Sequence, residues 1–248
     1  MDVNNNFEER LKMLLSGRKI HSWGDKIGLT KTILTRMNKG IMPGADKLSP
    51  AIRAENLSLS WLIDGIGSPY LVNHCISDED CYATLDELYI EQWNTYLLLC
   101  GQKIAIVLTQ PGSYYIKDDP YQYPIVEVLV GEIGSMTLQR IDKATNGKNI
   151  FYMDISSEEM KQLAKGQIGT YQLLNSDDAI LKNALLIRNL GELEHKRFLK
   201  CSEDKSGYNI ASDISSDEMA TLKNLRKLEP PNLMNIKTLI QALVNKKE

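Results

Sequence analysis

Apolar positions along the first seventy residues recur at helical spacing and break at glycines. Phe7, Leu11, Leu14 and Leu15 share one face of a helix that Gly17 stops. Residues 20–39 read as two short helices meeting at a sharp turn. Gly28 stands where the chain leaves the first, a place where glycine adopts the left-handed conformation without steric cost. Gly24 leaves no side chain where the helices must touch, Leu29 is the apolar plug, and Thr30 is placed to cap the second helix. Ile33, Leu34 and Met37 then point inward, near Trp23 and Ile27. That leaves Lys31, Thr32, Thr35, Arg36 and Lys39 facing out, with Thr30 at their head. After Gly40 comes the loop Ile-Met-Pro-Gly, then a helix from about Ala45 to Asn56. Ser58 or Ser60 caps a further short helix that buries Trp61 and Leu62 and ends at Gly65.

An exposed helix face of Thr, Lys and Arg suits a major groove, where Arg and Lys reach guanine edges and Thr meets base edges or methyls. A solvated helix pair in an all-α domain would show the same short pattern. The flanks favour the first. Five predicted helices within residues 7–70, the second and third forming the turn unit, resemble the N-terminal domain of phage CI-type repressors. The run Ser58-Leu-Ser-Trp-Leu-Ile-Asp-Gly-Ile-Gly67 resembles that family's end-of-domain signature. The resemblance implies that the face from Thr30 to Lys39 contacts operator DNA. One departure is Gly24, where the family often has Ala; glycine weakens the first helix by up to about 1 kcal/mol.

Beyond this region the period changes. Residues 69–85 hold Pro69 and a polar, aperiodic run, and read as a linker. A helical stretch follows near Leu85–Trp93. Short β-branched and aromatic runs come next: Tyr96–Cys100, Lys103–Thr109, Tyr114–Lys117 and Tyr123–Val130. Turn candidates at Gly101-Gln102, Pro111-Gly-Ser and Asp118-Asp-Pro separate them, predicting an antiparallel meander of four strands. Tyr114, Tyr115, Tyr121 and Tyr123 could stack on bases, but tyrosines in such strands more often pack one sheet face with the hydroxyl at the rim.

An internal repeat follows. Asn149-Ile-Phe-Tyr-Met-Asp-Ile-Ser-Ser-Glu-Glu-Met160 echoes Asn209-Ile-Ala-Ser-Asp-Ile-Ser-Ser-Asp-Glu-Met219, and Val130-Gly-Glu-Ile133 echoes Leu190-Gly-Glu-Leu193. Each copy reads strand, turn, strand, helix, with turns at Asn146-Gly147 and Ser206-Gly207. Capping boxes at Ser156/Glu159 and Ser215/Glu218 start the helices. Pro230-Pro-Asn precedes a last helix whose Ile236, Leu239, Ile240, Leu243 and Val244 form one apolar stripe, suited to the chain's own sheet or to dimerisation.

Charge sharpens this picture. Residues 1–70 carry a net +3 and residues 71–248 a net −6, a basic head on an acidic body. That asymmetry fits a reader of nucleic acid whose remainder should not adhere to phosphate. No apolar run reaches membrane-spanning length and the polar start lacks a signal-peptide core, so we expect a cytoplasmic protein without membrane partners. The four cysteines do not make a disulfide framework. His74, Cys75 and Cys81 lack paired spacing and a fourth ligand, so no metal is expected. No P-loop, dinucleotide fingerprint or hydrolase elbow is present, and no cofactor is expected.

One enzymatic alternative is self-cleavage, as in SOS-type repressors, with Ser135 as nucleophile and Cys100–Gly101 as the scissile bond. That family's Gly-Asp turn after the serine is missing. Where its lysine strand should fall stands Gly169-Thr-Tyr-Gln-Leu-Leu, and the nearest lysines, Lys161 and Lys165, lie on a predicted helix. The expected fold class is therefore α + (α+β). It comprises a five-helix helix-turn-helix domain (1–68), a linker (69–85) and an α+β regulatory and oligomerisation domain (86–248). The latter has an antiparallel sheet and two β-β-α repeat units, about 125–183 and 184–247. The expected function is non-enzymatic: a prophage CI-type transcriptional repressor binding a palindromic operator as a dimer or higher oligomer. Thr30, Lys31, Thr32, Thr35, Arg36 and Lys39 are its DNA contacts, and homo-oligomerisation runs through the C-terminal domain. A further alternative is an interaction protein whose C-terminal domain receives an antirepressor.

Overall fold

Sequence periodicity turns into two packing regimes in the computed structural model, which describes residues 6–187 and 190 apart from 102, 117 and 147. All of these lie in one compact unit, Met1–Arg197. Helices come first: α1 (Phe7–Leu15), α2 (Ile20–Lys26), α3 (Lys31–Met37), α4 (Ala45–Glu55) and α5 (Leu59–Asp64). They enclose one core of Phe7, Leu11, Leu14, Trp23, Leu34, Met37, Leu48, Leu57 and Leu62. Their starts are set by side-chain caps: Asn6 accepts from the Glu9 N–H, and Ser58 from the Trp61 N–H. The buried guanidinium of Arg10 ties α1 to the end of α5, its Nε donating to the Leu62 carbonyl (2.9 Å) and Nη2 to that of Ile63 (2.8 Å). These carbonyls are orphans of the helix terminus, and a cation there also opposes the negative end of the helix dipole.

The second regime is a six-stranded mixed sheet of β1 (Asn73–Cys75), β2 (Asn94–Cys100), β3 (Lys103–Ile116), β4 (Asp119–Gly131), β5 (Ile150–Asp154) and β6 (Leu185–Ile187). The strand order is β1-β4-β3-β2-β5-β6. Among the described residues three further α-helices accompany it, α6 (Asp78–Leu88), α7 (Ser135–Thr145) and α8 (Ser157–Ala164), followed by a π-helical turn (Tyr171–Asn175) and a 3-10 turn (Ile180–Asn183). Successive side chains of a strand point to opposite faces, and both faces here are covered. Leu97, Leu99, Ile104, Ile106, Leu108 and Leu129 meet Cys81 and Leu85 of α6 and Leu138 and Ile141 of α7. Leu98, Ala105, Val107, Val126, Val128 and Val130 meet Met160 and Leu163 of α8 on the other side. That is why the run Ile104–Leu108 is apolar without alternation. Among the described residues no helix is long and apolar enough to cross a membrane.

Four expectations need correction. Residues 69–85 are not an irregular linker: they hold β1 and most of α6. The acidic run that looked like linker is a helix start, since Ser77 caps the Asp80 N–H and Asp78, Glu79 and Asp80 fill the first turn, where the dipole favours negative charge. The meander has three strands rather than four, because Pro111-Gly-Ser lies inside β3, with Gly112 opposite Tyr123. A Cβ at Gly112 would stand 2.7 Å from Ile125 Cγ1 and 2.9 Å from Tyr123 Cζ, so the glycine makes room for bulky neighbours and no turn forms.

The sheet is mixed rather than antiparallel, with β1 parallel to β4 and β5 parallel to β2. Parallel neighbours need a crossover, and the one from β2 to β5 runs through β3, β4 and then α7, which carries the chain from β4 to β5. The first repeat unit is accordingly β-α-β-α rather than β-β-α. Its capping box at Ser156 and Glu159 is formed. The second repeat unit beyond Leu190, with its Ser206-Gly207 turn and Ser215/Glu218 box, and the C-terminal apolar stripe lie outside the described residues.

Candidate nucleic-acid interface

The turn between α2 and α3 is built by backbone bonds that only a compact corner allows. The Leu29 N–H donates to the Gly24 carbonyl at 2.9 Å, and Gly28 adopts φ +68°. Thr30 is extended and its hydroxyl accepts from the Ile33 N–H at 3.4 Å, a long cap. Leu34 and Met37 are wholly buried, and Leu29, Ile27 and Trp23 pack with them in one cluster. The contact depends on Gly24: a Cβ there would lie 2.2 Å from Leu34 Cδ2.

With those residues turned inward, Thr30, Lys31, Thr32, Thr35, Arg36 and Lys39 are all exposed. Lys31, Arg36 and Lys39 form no ion pair among the described residues, and the first turn of α3 carries no acid. Thr35 is partly committed, because its hydroxyl donates to the Lys31 carbonyl at 2.8 Å. Its lone pairs remain, so toward a base edge it can only accept. The face thus presents three cations and three hydroxyls, matching the donor-rich chemistry that reads base edges and phosphates.

Sequence reasoning missed what braces this face from behind. Glu55 of α4 is buried, and its Oε1 accepts from Trp23 Nε1 (2.8 Å) and Arg18 Nη1 (2.6 Å). Arg18 also donates to the Leu14 and Leu15 carbonyls and stacks on the Tyr171 ring, 4.0 Å from its centroid. On the sheet side, the Tyr114 hydroxyl of β3 donates to the carbonyl of Ile27, at the end of α2. Burial first, then the neighbouring Tyr121 and Tyr123, push that phenol up to about 12. Tyr114 stacks on Tyr121 at 5.7 Å and tilts against Tyr123 at 5.4 Å, so Tyr114 is held between these two rings. Tyr115 is exposed. No sequence signal marks Tyr114 as a partner of Ile27, 87 positions away.

The residues of the cleavage alternative are not arranged around a buried base. Cys100–Gly101 forms the tight β2–β3 corner, with Gly101 at φ +57°. Ser135 is exposed at the start of α7, where the Asp78 carboxylate accepts the N–H groups of Gly134, Met136 and Thr137. Lys161 and Lys165 are exposed, and burial is what would make a lysine a base at neutral pH.

Comparison with family models, curated proteins and solved structures yields no match to this chain.

Proposed function

We propose that this chain is a sequence-specific DNA-binding transcriptional repressor of the phage CI type, with α3 as its recognition helix. One observation carries the reading. The six polar side chains from Thr30 to Lys39 stand exposed on one short element whose apolar side is buried, and its three cations have no acidic partner among the described residues. In this reading the α2–α3 pair is a helix-turn-helix: α3 enters the major groove and α2 crosses the backbone. The protein works in the cytoplasm and needs no cofactor or catalytic step. It represses by occlusion, holding a palindromic operator as a dimer or higher oligomer.

A single module makes few base contacts, so one copy binds weakly. Two copies on one duplex, with half-sites about 34 Å apart, gain avidity without any new contact. Oligomerisation through the C-terminal part gives the long acidic remainder its purpose. Footprinting of the purified full chain on the intergenic DNA beside its own gene tests the reading. The expected result is one protected palindrome whose occupancy falls steeply with salt, as lysine and arginine contacts release counterions. No protected site, or occupancy indifferent to salt, would sink it.

A further inference from the structure

Behind the proposed recognition unit lies a cavity of about 420 Å³ that the DNA-binding reading does not use. This is the size of small-ligand sites. Four parts of the fold wall it: α2 and its N-cap through Lys19, Ser22 and Lys26, α4 through Ala54 and Glu55, the β3–β4 hairpin through Gln122, Tyr123 and Pro124, and the π-helical turn Tyr171–Asn175. The wall is cationic and aromatic. Arg18 is spent on Glu55, but Lys19 and Lys26 form no ion pair among the described residues. Tyr123, Tyr171 and Pro124 supply half-buried flat surface. Glu55, in the same wall, is buried, and its Oε2 has no hydrogen-bond partner among the described residues. A buried acceptor left unpaired is costly, and a donor from a ligand would answer it.

We infer that this cavity binds a small planar anion, an aromatic ring bearing a carboxylate or phosphate and one N–H or O–H donor, and that its binding releases DNA. The anion goes to Lys19 and Lys26, the ring to the tyrosines, and the donor to Glu55. Release follows from charge. Lys19 is the N-cap residue of α2 and Lys26 ends it, α2 being the helix that crosses the phosphate backbone in the reading above, and an anion held between them cancels their attraction for DNA. The regulatory half of the inference rests on that reading, whereas ligand binding does not.

The probe is indole-3-acetate, titrated into the 15N-labelled full chain while the indole N–H resonance of Trp23 is followed. That group donates to Glu55 Oε1 at 2.8 Å, so it reports directly on the cavity wall; Trp23→Phe assigns it. The expected result is a saturable shift, weakened about tenfold in the Lys19→Gln/Lys26→Gln double variant. Both lysines are exposed, so the variant folds as the parent does. Absence of any saturable shift, or equal binding of uncharged indole-3-acetamide, would overturn the anion site. Binding of acetate as tight as that of indole-3-acetate would overturn the aromatic part. Unchanged affinity for 1-methylindole-3-acetate would overturn the donor's role. On operator DNA, saturating indole-3-acetate should lower affinity and reduce the salt slope by about 2, one for each lysine. Ligand binding without that loss overturns the regulatory half alone. A chain that binds no DNA at all refutes the repressor reading, with the cavity still decided by the titration.

Discussion

Leu34 of α3 lies over the bare Cα of Gly24 in α2, so close that a Cβ at position 24 would stand 2.2 Å from Leu34 Cδ2 and 2.9 Å from Cγ. The glycine that weakens α2 is therefore what lets α3 seat.

Two opposed terms decide the outcome of Gly24→Ala. Helix propensity favours alanine by about 1 kcal/mol. Against it, Leu34 is wholly buried and has to give way, and overpacking of a filled core costs about 1–3 kcal/mol. We expect a net loss of about 1 kcal/mol, read as a lower urea midpoint at unchanged slope. A stabilised variant would show that the contact is loose.

On α3 itself, Arg36→Ala should cost about 1–3 kcal/mol of operator affinity if it reads a base, and relax preference at one base pair. Lys31→Ala should weaken binding to all sequences more evenly. Both side chains are exposed, so neither variant should lose thermal stability. Unaltered operator binding by the double variant would remove the site assignment.

Tyr114→Phe should loosen the bond between the sheet and the helix pair at a cost of about 0.5–1.5 kcal/mol, the net worth of one hydrogen bond. Its pH dependence is specific. The folded phenol titrates near 12 against an ordinary 10.0, so the contribution is full below the ordinary value and is lost as pH rises through the folded one. The stability gap between parent and variant should stay flat below pH 10 and narrow between 10 and 12. Tyr89, also pushed up to about 12 by burial, remains in both proteins and cancels in the comparison.

Asp78 links α6 to α7, accepting from the N–H groups of Gly134, Met136 and Thr137 at 2.9, 2.9 and 3.1 Å. Burial pushes its carboxyl up, but the hydrogen bonds from Thr137, Met136 and Gly134 outweigh it and hold the group below its ordinary value. A depressed carboxyl contributes stability above its unfolded pKa and loses it as pH falls through the folded one. Asp78→Ala should therefore cost about 1–2 kcal/mol at neutral pH, and the cost should shrink in acid. A deficit of the same size at low pH would mean that packing, rather than the cap, is what Asp78 supplies.

Sequence alone reached the local events. The helix boundaries of residues 7–64, the turn at Gly28, the inward set of α3 and the Ser156–Glu159 cap are properties of neighbours along the chain, set by period, capping chemistry and glycine. From these came the exposed face of Thr30, Lys31, Thr32, Thr35, Arg36 and Lys39. Only tertiary structure could decide what depends on partners far away. Whether Pro111-Gly-Ser turns or extends rests on Tyr123 and Ile125 across the strand. The Asp78–Asp80 helix start has a local mark in the Ser77 cap, but what α6 packs against, α7 and the sheet, has none. Strand direction, the Glu55 cluster and the Tyr114 bond to Ile27 are of the same kind. A local pattern fixes which side chains want to be buried; the identity of what buries them is settled only when distant segments compete for the same surface.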